Sequence, residues 1–206
     1  MSNFVEDANF MQMSPDDFPH AHDEEAIDLE LFVQLMGQFY ENGWMRGTGG
    51  ALGCIAHDKL FISPSALQKE RLRRSDIFVY DLRSKVQVQR PVQAKVDVSS
   101  CSVLFSMIMR QTGVYDPFTG KNLNYDDTLT IPIIENQPRE NQLMPAMEEC
   151  LKTHQRSCAV LVRNHGLFVW GSTWEKAKTM TECIDYLLDL AIDMIKLEIP
   201  LVKEEN

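Results

Sequence analysis

Five short stretches of this sequence carry side chains that could do chemistry. The first is Gly47-Thr48-Gly49-Gly50. Glycines let backbone N–H groups approach an anion closely, and Thr48 adds a hydroxyl donor, which suits a phosphate. A flexible turn between two elements explains the same residues. The loop is neither a P-loop nor a dinucleotide fingerprint, because the Lys-Ser/Thr ending is missing and a helix precedes it. The second stretch runs from Ser63-Pro64-Ser65 to Lys69. Two serines at a strand end can donate to an anion and Lys69 can add charge; a solvated turn is the competing explanation. The third is Arg163-Asn164-His165-Gly166, where a His in a tight turn suits a metal ligand or a base. The fourth is Cys101, whose place at a helix start predicts a lowered thiol pKa and contact with a ligand, against the ordinary role of a small buried residue. The fifth is His20-Ala21-His22, spaced so that a strand would put both rings on one side. That pair sits in an acidic, Pro-bearing stretch, where the spacing is more readily accidental.

The elements that must hold these residues follow from periodicity. Ile27, Leu31, Leu35 and Phe39, widened by Phe32, Met36 and Tyr40, predict a helix over residues 24–42, ended by Gly43. Residues 53–56 and 59–63 flank His57-Asp58 as a hairpin. Residues 77–82 and 85–89 form a second strand pair. Residues 99–110 read as a helix with Ser at its start, and 111–127 as irregular chain. Residues 128–135 are apolar and β-branched, hence a strand. Residues 142–154 form a helix with Pro145 in its first turn. Residues 157–163 and 167–170 make a hairpin around Asn164-His165-Gly166. Ser172 to Glu175 reads as a capping box. The helix after it places Ala177, Met180, Ile184, Leu187, Leu188, Ala191 and Ile195 on one apolar face and ends before Pro200. Helices bracketing hairpins predict a three-layer α/β/α domain with a largely antiparallel central sheet. Residues 1–23 read as an acidic, disordered tail, and 24–206 as one domain.

The bulk composition excludes several classes. The chain has 206 residues and a net charge of −10, which disfavours nucleic acid and anionic membranes as partners. Its five cysteines are an odd number without C-x-x-C. With no secretory signal or membrane-length apolar run, reduced thiols and a cytoplasmic location are expected.

Taken in order, the pieces resemble a known family. Gln38-Phe39-Tyr40, Gly43-Trp44 and Gly47-Thr48-Gly49-Gly50 are similar to the pattern Q-F-Y-x-x-G-W-x-x-G-T-G-G of the methylthioribulose-1-phosphate dehydratases, members of the class II aldolase/adducin superfamily. Ser63-Pro64-Ser65 with Gln68-Lys69-Glu70-Arg71 is similar to P-S-G-V-Q-K-E-R. Tyr125-Asp126-Asp127, Ile131-Pro132-Ile133-Ile134-Glu135-Asn136, Cys158 to Arg163, His165-Gly166, Val169-Trp170-Gly171 and Trp174 to Met180 continue the match. The resemblance spans about residues 38–194. It implies an α/β/α class II aldolase-like domain, assembled as a homotetramer. The implied reaction is dehydration of 5-methylthioribulose 1-phosphate to a 2,3-diketo-5-methylthiopentyl 1-phosphate in methionine salvage. It also implies one zinc ion per subunit, held by three His, and a Glu that moves the proton. By motif, His165 is the third zinc ligand, Cys101 the substrate-contacting Cys, and Gly47, Thr48, Gly49, Gly50, Ser63 and Ser65 the phosphate side.

The departures concern the metal. The family carries an H-T-H pair soon after the helix at Cys101, then a helix and an H-Q-E-x-x-K-G segment with the catalytic Glu. Here residues 99–110 lead straight into Gln111-Thr112-Gly113-Val114-Tyr115-Asp116, and no His occurs between His57 and His154. A strand-helix segment with two zinc ligands and the acid/base Glu is missing, so no catalytic residue is identifiable, and His165 alone is too few ligands for zinc. His20 and His22 are a remote substitute. Ala66 stands where the family has Gly. Losing mid-sheet elements exposes apolar edges around residues 128–134, which must re-pair or leave the fold less stable. Two functions fit: a shortened dehydratase, or a metal-free binding or regulatory protein on the same scaffold, as in adducin.

Overall fold

The computed structural model describes residues 13–17, 26–93, 96–112 and 128–202. Most of the tail, His20 and His22, the first residues of the expected first helix, and the junction after residue 112 lie outside them.

Helix α1 is Leu29–Glu41. It begins five residues later than periodicity predicts, because Asp28 caps it: the Asp28 carboxylate accepts from the Leu31 N–H at 2.7 Å, satisfying a donor that has no partner within the helix. Asn42 closes it, and Gly43 follows in the left-handed region with φ +81°. The strands β1 Gly53–Ala56, β2 Lys59–Ile62, β3 Phe78–Asp81 and β4 Val86–Gln89 form an antiparallel four-stranded sheet in chain order. The β1–β2 turn is the expected one, with His57 and Asp58 both at positive φ, as a two-residue hairpin needs.

Period-2 alternation splits this sheet between two cores. Phe61 and Val79 face α1, where Phe32, Leu35, Met36 and Phe39 are buried against them. Leu60, Ile62, Phe78 and Tyr80 face the other way, onto Val96, Val98 and Met13.

The second half contains helix α2 Ser102–Thr112, strand β5 Ile133–Ile134, a 3-10 turn Glu140–Leu143, helix α3 Met144–Thr153, strands β6 Ala159–Val162 and β7 Gly166–Val169, and helix α4 Trp174–Lys196. Helix α2 starts at Ser102, so Cys101 sits just outside its first turn. Strands β5–β6–β7 form a separate three-stranded sheet, with β5 parallel to β6 and β6 antiparallel to β7. Val160, Val162 and Phe168 pack on α2 and α3. Ala159 on the opposite face packs with Ile184 of α4. Helices therefore cover both faces, and the pairing is largely antiparallel, as expected for an α/β/α domain.

Three expectations need correction. The strand over residues 128–135 shrinks to Ile133–Ile134, because Pro132 has no N–H to give a ladder and among the described residues β5 has no second neighbour. Thr173, not Ser172, caps α4, accepting from Lys176 N–H at 3.4 Å; the third helical residue is then Lys176, so no capping box forms. The long apolar face of α4 is buried only at Ile184. Leu187 is 59% exposed and Ile195 61%, since nothing among the described residues covers the last turns. No described helix is long and apolar enough to cross a membrane.

Candidate active site

Among the described residues, those singled out by type lie along one connected set of contacts. Its centre is Lys69, which is 1% exposed. Its Nζ donates to the carbonyls of Thr48 at 3.0 Å, Leu67 at 3.0 Å and Pro64 at 3.3 Å. One buried cation thus ties the glycine loop to the serine turn. The expectation that Lys69 offers its charge directly to an anion is corrected: all three ammonium donors have carbonyl partners. Burial lowers its pKa, and the neighbouring Cys101 acts the opposite way.

The glycine loop, residues 47–50, is exposed. Gly49 N–H closes a turn onto the Arg46 carbonyl at 3.1 Å. Gly50 has φ +74°, and a Cβ there would meet the Met45 side chain at 2.4 Å. Only glycine fits, because conformation and space both exclude a side chain. Ser63 departs from the expected role. It is 0% exposed, its Oγ accepts from Leu52 N–H at 3.0 Å, and its backbone bonds Leu52 and Ser99. A serine at a strand end has the same sequence signature whether it meets a ligand or the backbone; here it braces the segment that follows the glycine loop at Leu52. Ser65 is partly exposed, and its N–H donates to the Asp97 carbonyl at 2.8 Å.

Ala66, which stands where the dehydratase pattern has Gly, lies in the left-handed region at φ +56°. A Cβ in the left-handed region costs about 1–2 kcal/mol, part of which a glycine gives back through its looser unfolded chain. Ala66→Gly should therefore stabilise the fold by about 0.5–1 kcal/mol. This reads as a higher urea midpoint at unchanged slope; a lower midpoint would mean that the Ala66 methyl makes packing contacts worth more than the strain.

Cys101 adjoins this region. Ser99 N–H donates to the Ser63 carbonyl, and Cys101 N–H donates to Ser99 Oγ at 3.3 Å. The expected lowering of its thiol pKa is not found. Burial, reinforced by Glu140, pushes it up to about 11, against weaker pulls from Ser99 and Lys69. The thiol lies outside α2's first turn, and desolvation outweighs the helix end.

His165 lies in the β6–β7 turn, exposed, its Nδ1 3.3 Å from Asn136 Oδ1. It meets Cys101 across the site. The Cys101 sulfur, a Glu140 oxygen and a His165 nitrogen all lie within 4.8 Å of one another. The donor set S, O and N fits a zinc-class ion chemically. Sequence reasoning missed Glu140, which opens the 3-10 turn before α3. Nothing in its local pattern separates it from a solvated acid; only the tertiary fold brings it to Cys101.

Comparisons with known proteins agree with this architecture. The family described as "Class II Aldolase and Adducin N-terminal domain" matches residues 30–115 and again 115–192. The two matches meet at Tyr115, beside the junction where the sequence departs from the dehydratase pattern. A "Probable methylthioribulose-1-phosphate dehydratase" of Caenorhabditis elegans is 50% identical, covering 100% of this chain and 91% of that protein. That alignment extends over 240 positions, more than this chain has residues, so part of the relative has no counterpart here. A methylthioribulose-1-phosphate dehydratase of Danio rerio is 39% identical over 80% of this chain and 82% of its own. Among solved structures, an L-fuculose 1-phosphate aldolase superposes with TM-score 0.63 at 14% identity, covering 89% of this chain and 94% of that one. YgbL of Klebsiella pneumoniae, described as a putative aldolase/epimerase/decarboxylase, gives TM-score 0.61 at 16% identity, over 88% and 91%. At such identities the likeness concerns the fold alone. By sequence match over most of its length, the chain belongs to the class II aldolase and adducin N-terminal domain family.

Proposed function

We propose that this chain is a shortened methylthioribulose-1-phosphate dehydratase: it binds 5-methylthioribulose 1-phosphate, the substrate that methionine salvage dehydrates to the 2,3-diketo-5-methylthiopentyl 1-phosphate, but it is impaired in turnover. The carrying observation is the 50% identity to the nematode relative across the whole chain. Gly47, Thr48, Gly49, Gly50 and Ser65 take the phosphate on the exposed side of the loop, while Lys69 holds that loop from behind and Ser63 holds the segment after it at Leu52. Cys101 lies toward the sugar. His165 stands at the metal position, where zinc, when bound, would polarise the substrate oxygens and steady developing negative charge. The residue that moves the proton in the family has no counterpart in this sequence, and that loss is what impairs the step.

The reading extends to the setting. Residues 24–206 form one domain. The exposed apolar residues of α4 support a homo-oligomer, since an apolar stripe of this length is stabilised by burial. The acidic charge and reduced thiols suit the cytoplasm and disfavour nucleic acid and membranes as partners. The missing His pair supports a second reading, a metal-free binding protein on an adducin-like scaffold.

Thermal unfolding with and without ligand separates the two. The sugar phosphate at a hundred times its dissociation constant should stabilise the fold by about 2.7 kcal/mol, and the dephosphorylated sugar should not. Equal absence of protection from both would favour the metal-free binding protein.

A further inference from the structure

The cluster at Cys101 has two features that the phosphate side does not explain. Its three donors come from three separate elements: the residue before α2, the turn before α3, and the β6–β7 hairpin. They converge to within 4.8 Å of one another, although they are separated by 39 and 25 residues along the chain. Second, the Glu140 carboxylate makes no hydrogen bond or ion pair among the described residues, and it is only partly exposed. A half-buried carboxylate without a strong donor or cation beside it is short of the partner that its charge needs.

One nitrogen of the His165 ring already has a partner. When Nδ1–H donates to Asn136 Oδ1 at 3.3 Å, Nε2 keeps the lone pair that a metal needs. A ligating His held through its other nitrogen is the usual arrangement around a protein-bound metal. Phe168 neighbours the same ring, with centroids 6.1 Å apart.

We propose that the chain compensates for its missing His pair with a new ligand set, in which Cys101, Glu140 and His165 hold one zinc-class divalent ion. This deepens the dehydratase reading by assigning the metal position different ligands, and it rests on that reading only for placing the metal at His165. One thiolate, one carboxylate and one imidazole are each ordinary zinc ligands, and three protein ligands leave a fourth position open to water or substrate. A thiolate favours zinc over magnesium or calcium, which take oxygen ligands. Binding forms a metal–sulfur bond and breaks the Cys101 S–H bond, and the proton passes to solvent. In this arrangement Cys101 is a metal ligand rather than a substrate contact.

The test is a cobalt(II) titration of the purified full chain, followed by displacement with zinc. One equivalent of cobalt should bring up a thiolate-to-cobalt charge-transfer band in the near ultraviolet, with release of a proton, and one equivalent of zinc should abolish the band. Cys101→Ser should lose the band. Glu140→Gln and His165→Gln should each weaken zinc by at least about tenfold, the size of effect that even outer-shell changes produce. His20→Ala with His22→Ala should leave both readouts unchanged. Melting curves of the metal-free variants check that each still folds, and the band in the unmodified chain stands independently of any variant. Stoichiometric metal without a sulfur band, or affinity lost only in the His20/His22 variant, overturns the proposal. If the band appears but the sugar phosphate gives no thermal protection, the metal site stands and the dehydratase reading falls. If protection appears without the band, the reverse holds.

Discussion

Supplied with zinc and 5-methylthioribulose 1-phosphate, the purified chain should turn over about 10²–10⁴ times more slowly than the Caenorhabditis elegans relative measured alongside it. The size follows from the proposed absence of the proton-moving Glu, since a positioned acid or base contributes about that factor to a proton-transfer step. The proposed ligand set would act in the same direction: a Cys101 thiolate and a Glu140 carboxylate would bring two negative charges where the dehydratase pattern implies neutral imidazoles, and a zinc ion held by them would be a weaker Lewis acid. The deficit should appear in kcat, with a smaller change in KM, because the proposed phosphate side, the glycine loop with Ser65, is intact in this chain. This is the pattern for a group that acts only in the transition state. Turnover within about tenfold of the relative would mean that another residue of this chain moves the proton, and the account of impairment would fall.

The second large effect concerns Lys69. Replacing it with Met keeps much of the side-chain volume and removes all three ammonium donors. The carbonyls of Thr48, Pro64 and Leu67 then lose their partner in a place water reaches poorly. Hydrogen bonds to a charged group contribute about 1.5–3 kcal/mol, and a stranded buried acceptor costs about 1–3 kcal/mol. The Lys69 ammonium is itself costly to bury, which offsets part of the loss. Lys69→Met should therefore destabilise the fold by about 2–4 kcal/mol, read from the urea midpoint at constant slope. It should also weaken phosphate protection, because the glycine loop loses its tie to the serine turn. Lys69→Arg should not rescue it: a planar fork cannot aim three donors at carbonyls arranged around a point. A shift below about 0.5 kcal/mol, the range of ordinary surface substitutions, would remove Lys69 from its bridging role.

What the sequence discloses here is mostly local. The His57-Asp58 turn, the stripe of α1, Pro145 early in α3 and the hairpin around His165 depend on residues a few positions apart, and each appears as the pattern predicts. The glycine loop and the serine turn were identifiable because their residue types are tied to backbone conformation. The roles within the site were harder to read. Ser63 and Lys69 are polar residues whose partners are backbone carbonyls and amides, and such partners leave no mark on side-chain periodicity. Glu140 joins Cys101 only through the packing of α2 against α3 and its 3-10 turn. The thiol pKa of Cys101 is set by burial, which a helix-end argument from sequence does not include. The exposed face of α4 shows the opposite limit: its periodicity is correct, but periodicity identifies an apolar face and not what covers it.

The division of the strands into two sheets has a consequence for how the molecule forms. Each pairing from β1 to β4 joins consecutive strands, so the segments that must meet are near each other along the chain. Such a meander closes with little loss of chain entropy and can assemble early. The parallel contact between Ile133–Ile134 and Leu161–Val162 must bring together segments with α3 between them, and only two residues of pairing repay that closure. Contact order therefore predicts that the N-terminal meander with α1 forms first and that the half carrying Glu140 and His165 orders after it. The Cys101 cluster joins elements within that later half, so a metal ion bound there would stabilise the part of the chain that orders last.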